Sequence, residues 1–528
     1  MKFRVLVSDP LAEEGIEILK GFCDVDVKTG LSEGELIGII ENYDGILVRS
    51  GTQVTAPVIA AADRLRFIGR AGAGVDNIDL DAATSRGIIV ANAPSGNTIA
   101  ACEHTISMMA SLARNIPQAT ASVKRGEWKR SKFMGVELSG KTLGIVGFGR
   151  IGQEVAMRAM ALGMSCVAYD PYINTERAKE LGVKVMSFLD LLPVSDFITV
   201  HTPLMKQTKH MLNAETLAMT KDNVRFINCA RGGIIDEKAL YDAIKSGKVA
   251  GAALDVYEDE PPKDSAIITL DEVICTPHLG ASTVEAQQNV AVSVAKQCIE
   301  VLKGGSATFV VNAPMITSDM KERIQPYAEL AGKMGSLLIQ LGEGRIQEVS
   351  IEYGGRAADF GRSTKYITRI ALKGLLDPIL QTPVNLVNAE FMAKERSIKV
   401  TESTTKESKG FTNLITITVK TDAMTMSVSG NVADADRQRI VGIDGYMTDM
   451  APDGHVVISR HRDVPGVIGQ FATILGRYDV NIAGMQVGRN KPGEEAIMVL
   501  NVDSEVPAEA MEEALRIKGV STARYAHI

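Results

Sequence analysis

The chain has 528 residues, 45% of them hydrophobic and 23% charged, which is too long for a single core and too apolar for general disorder. A net charge of −7, with no dense Lys/Arg run, argues against a nucleic-acid or anionic-membrane partner. Six cysteines at 23, 102, 166, 229, 275 and 298 show no Cys-x-x-Cys spacing, so reduced thiols in a cytoplasm are expected, with neither a disulfide framework nor a metal site.

The N-terminus reaches Asp9 without the apolar stretch of a signal peptide, and no apolar run approaches the ~18 residues that a bilayer span needs. Short apolar strands are predicted at 4–8, 45–49, 66–69 and 87–91, alternating with helical patterns such as 35–41 and 57–62. One long helix is predicted over about 98–123, followed by the only tryptophan, Trp128. A second strand–helix series starts at Lys141, with strands at 142–146, 165–169, 197–201, 224–228, 251–256 and 273–275. A further helix covers about 284–303, and Gly304-Gly305 ends it and opens a linker. Beyond Pro314 the pattern becomes α+β, with helices at 324–341 and 366–376 and strands at 346–353, 414–420 and 424–428. Residues 453–528 read strand, turn, helix, strand, strand, helix, strand.

The expected fold class is therefore α/β, with two doubly wound parallel-sheet, Rossmann-like domains. They comprise 1–97 plus 283–313 and 98–282, and are followed by an α+β intervening domain at 314–452 and a βαββαβ domain at 453–528.

Gly147-Phe148-Gly149-Arg150-Ile151-Gly152 follows a predicted strand and opens a helix. The first glycine permits a tight turn, the second lets backbone approach a pyrophosphate, and the third allows close helix–strand packing. The next strand ends at Asp170, where a carboxylate can accept both ribose hydroxyls and repel a 2′-phosphate, so NAD is expected over NADP. Arg150 is cationic at the same turn, but too early to take over the role of the acid.

Each of the seven histidines can be weighed. His104 and His210 fall in helical or turn contexts and read as structural, while His455, His461 and His527 belong to the last domain. His201, in Val200-His201-Thr202-Pro203, ends a strand at the edge where cofactors sit and is expected to line the cofactor site. His278 follows the last strand of the nucleotide domain, at the mouth of the cleft.

Three runs occur in order: Asn228-Cys229-Ala230-Arg231-Gly232-Gly233, then Asp255-Val256-Tyr257-Glu258-Asp259-Glu260-Pro261-Pro262, then Thr276-Pro277-His278-Leu279-Gly280. On these motifs residues 1–313 resemble the D-isomer-specific 2-hydroxy acid dehydrogenases. The resemblance implies an NAD-dependent enzyme with Arg231, Glu260 and His278 as catalytic residues. His278 would accept the hydroxyl proton, Glu260 would hold the other imidazole nitrogen, and Arg231 would grip the substrate carboxylate. Asp255 is expected to face the nicotinamide, with Cys229, Ala230 and Gly280 beside it.

Val48-Arg49-Ser50-Gly51-Thr52, Gly69–Asn77 and Trp128–Phe133 are similar to members of the family that oxidise D-3-phosphoglycerate to 3-phosphohydroxypyruvate, the entry step of the phosphorylated serine route. A phosphorylated substrate calls for a cationic cleft, with Arg49, Arg70, Arg130 and Lys132 as candidates and Ser50, Gly72 and Asn97 lining it. The segment His461-Arg462-Asp463-Val464-Pro465-Gly466-Val467-Ile468, followed by Asn481, resembles an ACT domain, a module that binds amino acids at a paired interface. L-Serine is the expected effector, held by His461, Asp463, the turn Val464–Ile468 and Asn481, in a dimer or tetramer. A glyoxylate or hydroxypyruvate reductase, or an NAD-sensing binding protein on the same fold, is the alternative.

Overall fold

The computed structural model describes residues 2–314, 316, 318–433 and 437–528. The first sheet contains β1 (Arg4–Val7), β2 (Asp24–Val27), β3 (Gly45–Val48), β4 (Phe67–Arg70) and β5 (Ile89–Asn92), all parallel in the order β2-β1-β3-β4-β5. β3, Gly-Ile-Leu-Val, is buried at all four positions, as a strand covered by helices on both faces must be.

The second sheet contains β6 (Thr142–Val146), β7 (Ser165–Tyr169), β8 (Lys184–Val185), β9 (Phe197–Val200), β10 (Val224–Asn228), β11 (Val249–Leu254) and β12 (Val273–Cys275). It is also parallel, in the order β12-β11-β10-β9-β6-β7-β8. The winding direction reverses between β6 and β9, and a crevice opens there at the carboxyl ends of the strands.

The chain crosses twice between these bodies. The helix Val284–Leu302 returns to the first sheet, burying Val290, Val294 and Cys298 against Val5, Val7 and Phe67. The long helix predicted over 98–123 is two helices, Thr98–Arg114 and Ile116–Lys124. Asn115 between them is left-handed (φ 53°), a conformation asparagine tolerates, and Pro117 cannot continue the first helix because it lacks an amide hydrogen.

A third, mixed sheet runs β14-β13-β15-β16-β17-β18, from β13 (Ile346–Gly355), β14 (Lys399–Thr405), β15 (Asn413–Thr421), β16 (Thr425–Val432), β17 (Gln438–Ile443) and β18 (Tyr446–Met450). The fourth is antiparallel, β20-β21-β19-β22, from β19 (His455–Arg462), β20 (Ile482–Arg489), β21 (Glu495–Val502) and β22 (Val520–His527). The last two sheets share one core. Val456, Ile458, Ile497, Val499 and Ala526 pack into the same cluster as Leu330, Leu337, Ile417 and Val428.

This half is tied to the first sheet through the linker. Val310 bridges Ala91, and Arg369 donates to the Asn312 and Leu386 carbonyls while pairing with Glu390 at 2.7 Å.

Candidate active site

The glycine loop is built for close backbone approach. A Cβ on Gly147 (φ 97°) would stand 2.6 Å from the His201 carbonyl oxygen, and one on Gly152 would stand 2.2 Å from the Gly147 carbonyl oxygen. A Cβ on Gly149 would meet nothing within 4 Å, so that face is open. Asp170 accepts from the Phe148 amide at 2.9 Å and the Tyr172 amide at 2.8 Å, fixing the strand end to the loop. The Arg150 side chain turns away, its guanidinium 6.0 Å from the Phe309 ring centroid. These features fit a dinucleotide, with a bare helix start for the pyrophosphate and a braced carboxylate for the ribose.

Two cavities meet at the crevice. One of about 240 Å³ is lined by Asn97, Ile151, Thr202, Pro203, Ala230 and Gly280, together with His201 and Cys229. The other, of about 610 Å³, is lined by Arg49, Ser50, Arg70, Gly72, Asp76 and Glu260. Arg231 and His278 border both, so the reacting centre belongs where they join.

His278 Nδ1 lies 2.8 Å from Glu260 Oε2. The backbone there is left-handed (φ 56°), and the His278 amide donates to the Asp255 carbonyl at 2.9 Å. Burial alone would raise the Glu260 pKa, but the hydrogen bond and charge of His278, with the Tyr257 amide, hold it below the usual value. The carboxylate is thus ionised and accepts a hydrogen bond from Nδ1–H, which leaves Nε2 as the nitrogen available to a substrate. His201, 3.0 Å from Thr199 Oγ1, is pushed down to about 4 by burial and stays neutral at working pH.

Arg231 donates from Nη1 to the Ala230 carbonyl at 2.7 Å and from Nε to Asp76 Oδ2 at 2.9 Å. Arg70 is pushed down to about 10, first by burial and then by the charges of Arg231 and Arg49, a sign that three cations converge. A Cβ on Gly72 would stand 1.5 Å from Arg70 Nη1, so only glycine lets that guanidinium lie there.

Arg130, expected in the substrate cleft, lines neither cavity of this chain. It lies exposed in the surface turn Arg130–Phe133, beyond a loop held outward by the Ser122–Glu127 hydrogen bond and by Glu127 with Arg125 and Lys129. Lys132 shares that turn, 5.9 Å from the Phe133 ring centroid.

Asp255, expected to face the nicotinamide, is not among the residues lining either cavity. It is wholly buried and accepts from the Thr276 hydroxyl and from the amides of Leu279 (2.7 Å) and Gly280 (2.8 Å), so it shapes the loop that carries His278. His104, read as structural, joins it with Nε2 3.1 Å from Asp255 Oδ1.

In the C-terminal domain, Asp463 is already occupied, accepting from Arg489 Nη1 at 2.8 Å, and this bond lowers its pKa. Asn481 donates to Asp503 at 2.6 Å. Pro465 and Val464 are exposed, Ile468 is half-buried, and Gly466 (φ 91°) precedes the helix Val467–Arg477, whose Val467 is buried. His461 is 1% exposed, and neither ring nitrogen has a hydrogen-bond partner among the described residues.

Residues 106–280 match the D-isomer specific 2-hydroxyacid dehydrogenase NAD-binding domain, 323–444 the D-3-phosphoglycerate dehydrogenase intervening domain, and 455–519 the ACT domain. The D-3-phosphoglycerate dehydrogenase of Methanocaldococcus jannaschii is 48% identical over 518 residues, 98% of each chain. That of Bacillus subtilis is 46% identical, again over 98% of each chain. The chain belongs to the D-3-phosphoglycerate dehydrogenase family. It is an NAD-dependent oxidoreductase. Among solved structures, the D-lactate dehydrogenase of Aquifex aeolicus, complexed with NAD and lactic acid, is 30% identical with a TM-score of 0.54. The match covers 59% of this chain and 99% of that one, so this D-lactate dehydrogenase corresponds to only part of the present chain.

No helix among the described residues is long and apolar enough to cross a membrane.

Proposed function

We propose that this enzyme oxidises D-3-phosphoglycerate to 3-phosphohydroxypyruvate, opening the phosphorylated route to serine in the cytoplasm. The observation that carries this reading is the convergence of Arg49, Arg70 and Arg231 on the cavity that ends at the His278–Glu260 pair. Residues 1–97 with 283–313 would hold the substrate, 98–282 the cofactor, and 453–528 an effector whose signal crosses 314–452.

NAD supplies the hydride acceptor when bound against the Gly147–Gly152 loop and Asp170. Arg231 holds the substrate carboxylate, and Arg49 and Arg70 hold the phosphate. His278 Nε2 removes the hydroxyl proton as hydride leaves the same carbon, and Glu260 stabilises the imidazolium that results. In the reverse direction the same imidazolium returns the proton.

The test is NADH oxidation with 3-phosphohydroxypyruvate beside hydroxypyruvate, glyoxylate and 2-oxoglutarate. The phosphorylated acid is expected to give the highest kcat/KM, and an equal value for hydroxypyruvate would refute the assignment.

We further infer that L-serine binds the C-terminal domain of a dimer or tetramer and inhibits. The unpartnered His461 ring beside Asp463 supports a polar ligand there, and the core shared with residues 314–452 supports mechanical coupling. Full-length enzyme unaffected by millimolar serine would rule this out.

A further inference from the structure

Asp76 and Asn77 follow β4 on the loop that walls the substrate cavity, and each touches a different arginine. Asp76 Oδ2 accepts from Arg231 Nε at 2.9 Å, across 155 residues of chain and across the cleft. Asn77 Nδ2 donates to the backbone carbonyls of Arg49 at 2.7 Å and Thr52 at 2.6 Å. The far side of the Arg49 loop is held by Asp9, whose carboxylate accepts from the Arg49 amide at 2.6 Å and the Thr52 amide at 3.1 Å. Two adjacent residues therefore set the spacing between the cation on the first sheet and the cation on the second.

Arg231 has five N–H donors. One goes from Nε to Asp76 and one from Nη1 to the Ala230 carbonyl, which leaves one on Nη1 and two on Nη2 for a ligand. The loop also fits the guanidinium closely, since a Cβ on Gly74 would stand 1.7 Å from Arg231 Nη2. The Asp76 side chain is 67% exposed, and an ion pair of that kind contributes little to folding, so its consequence is orientation.

We propose that Asp76 is a positioning residue for the reaction: it holds Arg231 across the cleft with its free edge turned to the substrate carboxylate, at a distance from Arg49 fixed through Asn77. This rests on the role proposed above for Arg231. The charge and the geometry of Asp76 act in opposite senses. Its negative charge opposes an anionic substrate, so removing it leaves substrate binding no weaker, whereas losing the Nε contact lets the guanidinium swing out of line for hydride transfer. Misplacing a positioning group by about 1 Å costs up to about 100-fold in rate.

The experiment is steady-state kinetics of 3-phosphohydroxypyruvate reduction by Asp76→Asn, with NADH affinity measured alongside. We expect kcat to fall about 10- to 100-fold while KM stays level or falls and NADH binding is unchanged. Asp76→Glu, which keeps the carboxylate, should recover part of kcat. In an Arg231→Gln background Asp76→Asn should cost nothing further.

A raised KM with normal kcat would mark a merely structural effect on the loop and overturn the proposal, as would losses that multiply in the double variant. Near-normal turnover by Arg231→Gln alone would remove the role of Arg231, and the proposal with it. Normal turnover by Asp76→Asn beside a crippled Arg231→Gln would overturn the proposal while leaving Arg231 in place.

Discussion

His278 stands at the mouth of the cleft with 46% of its side chain exposed and Nδ1 2.8 Å from a carboxylate, whereas His461 is enclosed in the C-terminal domain, 1% exposed and unbonded at both ring nitrogens among the described residues. The first setting suits a residue that gains and loses a proton each turnover, because the ionised Glu260 stabilises the imidazolium and water can carry the proton off. The second penalises the cation: burial lowers the His461 pKa, against a smaller opposing effect of Asp463. A buried ring without partners forfeits roughly 1–3 kcal/mol per unsatisfied group, which a ligand bonding to it would recover. On the roles proposed above, one imidazole transfers a proton and the other recognises a ligand.

The largest expected effect tests the first half of that contrast. His278→Ala should lower kcat by ~10²–10⁴ with NADH binding nearly unchanged, and near-normal turnover would take His278 out of the proton-transfer role. The second half is tested by His461→Ala in the full-length enzyme, read as the serine concentration that halves activity. Allosteric coupling is typically about 5- to 150-fold, and the variant should lose it while keeping uninhibited turnover. Serine inhibition that survived intact would show that His461 is not part of the effector site.

The smallest effect concerns His201, half-buried at the cofactor cavity. Its folded pKa of about 4 lies below the ordinary value of 6.5, so between those values the unfolded chain takes up a proton that the folded protein refuses. Stability at His201 is therefore full above pH 6.5 and declines as pH falls toward 4. His201→Gln should show a shallower loss of Tm over that interval, and parallel curves for the two proteins would contradict it.

The nucleotide loop, the three catalytic runs and the C-terminal module were legible because each is a local string whose residues act within a few positions of one another. What the string hid is long-range pairing. The partner of Asp76 lies 155 residues on, and the four partners of Asp255 come from the Thr98–Arg114 helix and the loop after β12. Arg489 and Asp503, which already engage Asp463 and Asn481, were equally invisible. The exposed place of Arg130 was hidden for a different reason, since composition reveals a cation but not which side of a turn it occupies. Both β2 (Asp-Val-Asp-Val) and β14 (Lys-Val-Thr-Glu-Ser-Thr-Thr) are edge strands; the first alternates over only four residues, too short a run to register, and the second has a single apolar residue.

The apolar seam between the last two sheets bears on how the molecule comes apart. Val456, Ile458, Ile497 and Val499 cover Leu330, Leu337 and Ile417, so neither sheet can melt without wetting the other. Sequence and sheet count divide residues 318–528 into two modules, and the shared cluster predicts a single calorimetric transition for them. Leu330 and Leu337, on the helix Ser318–Leu341, sit in that seam, and Arg369, on the helix Thr364–Leu376 packed beside it, donates to the Asn312 carbonyl, so the seam and the linker meet through two packed helices.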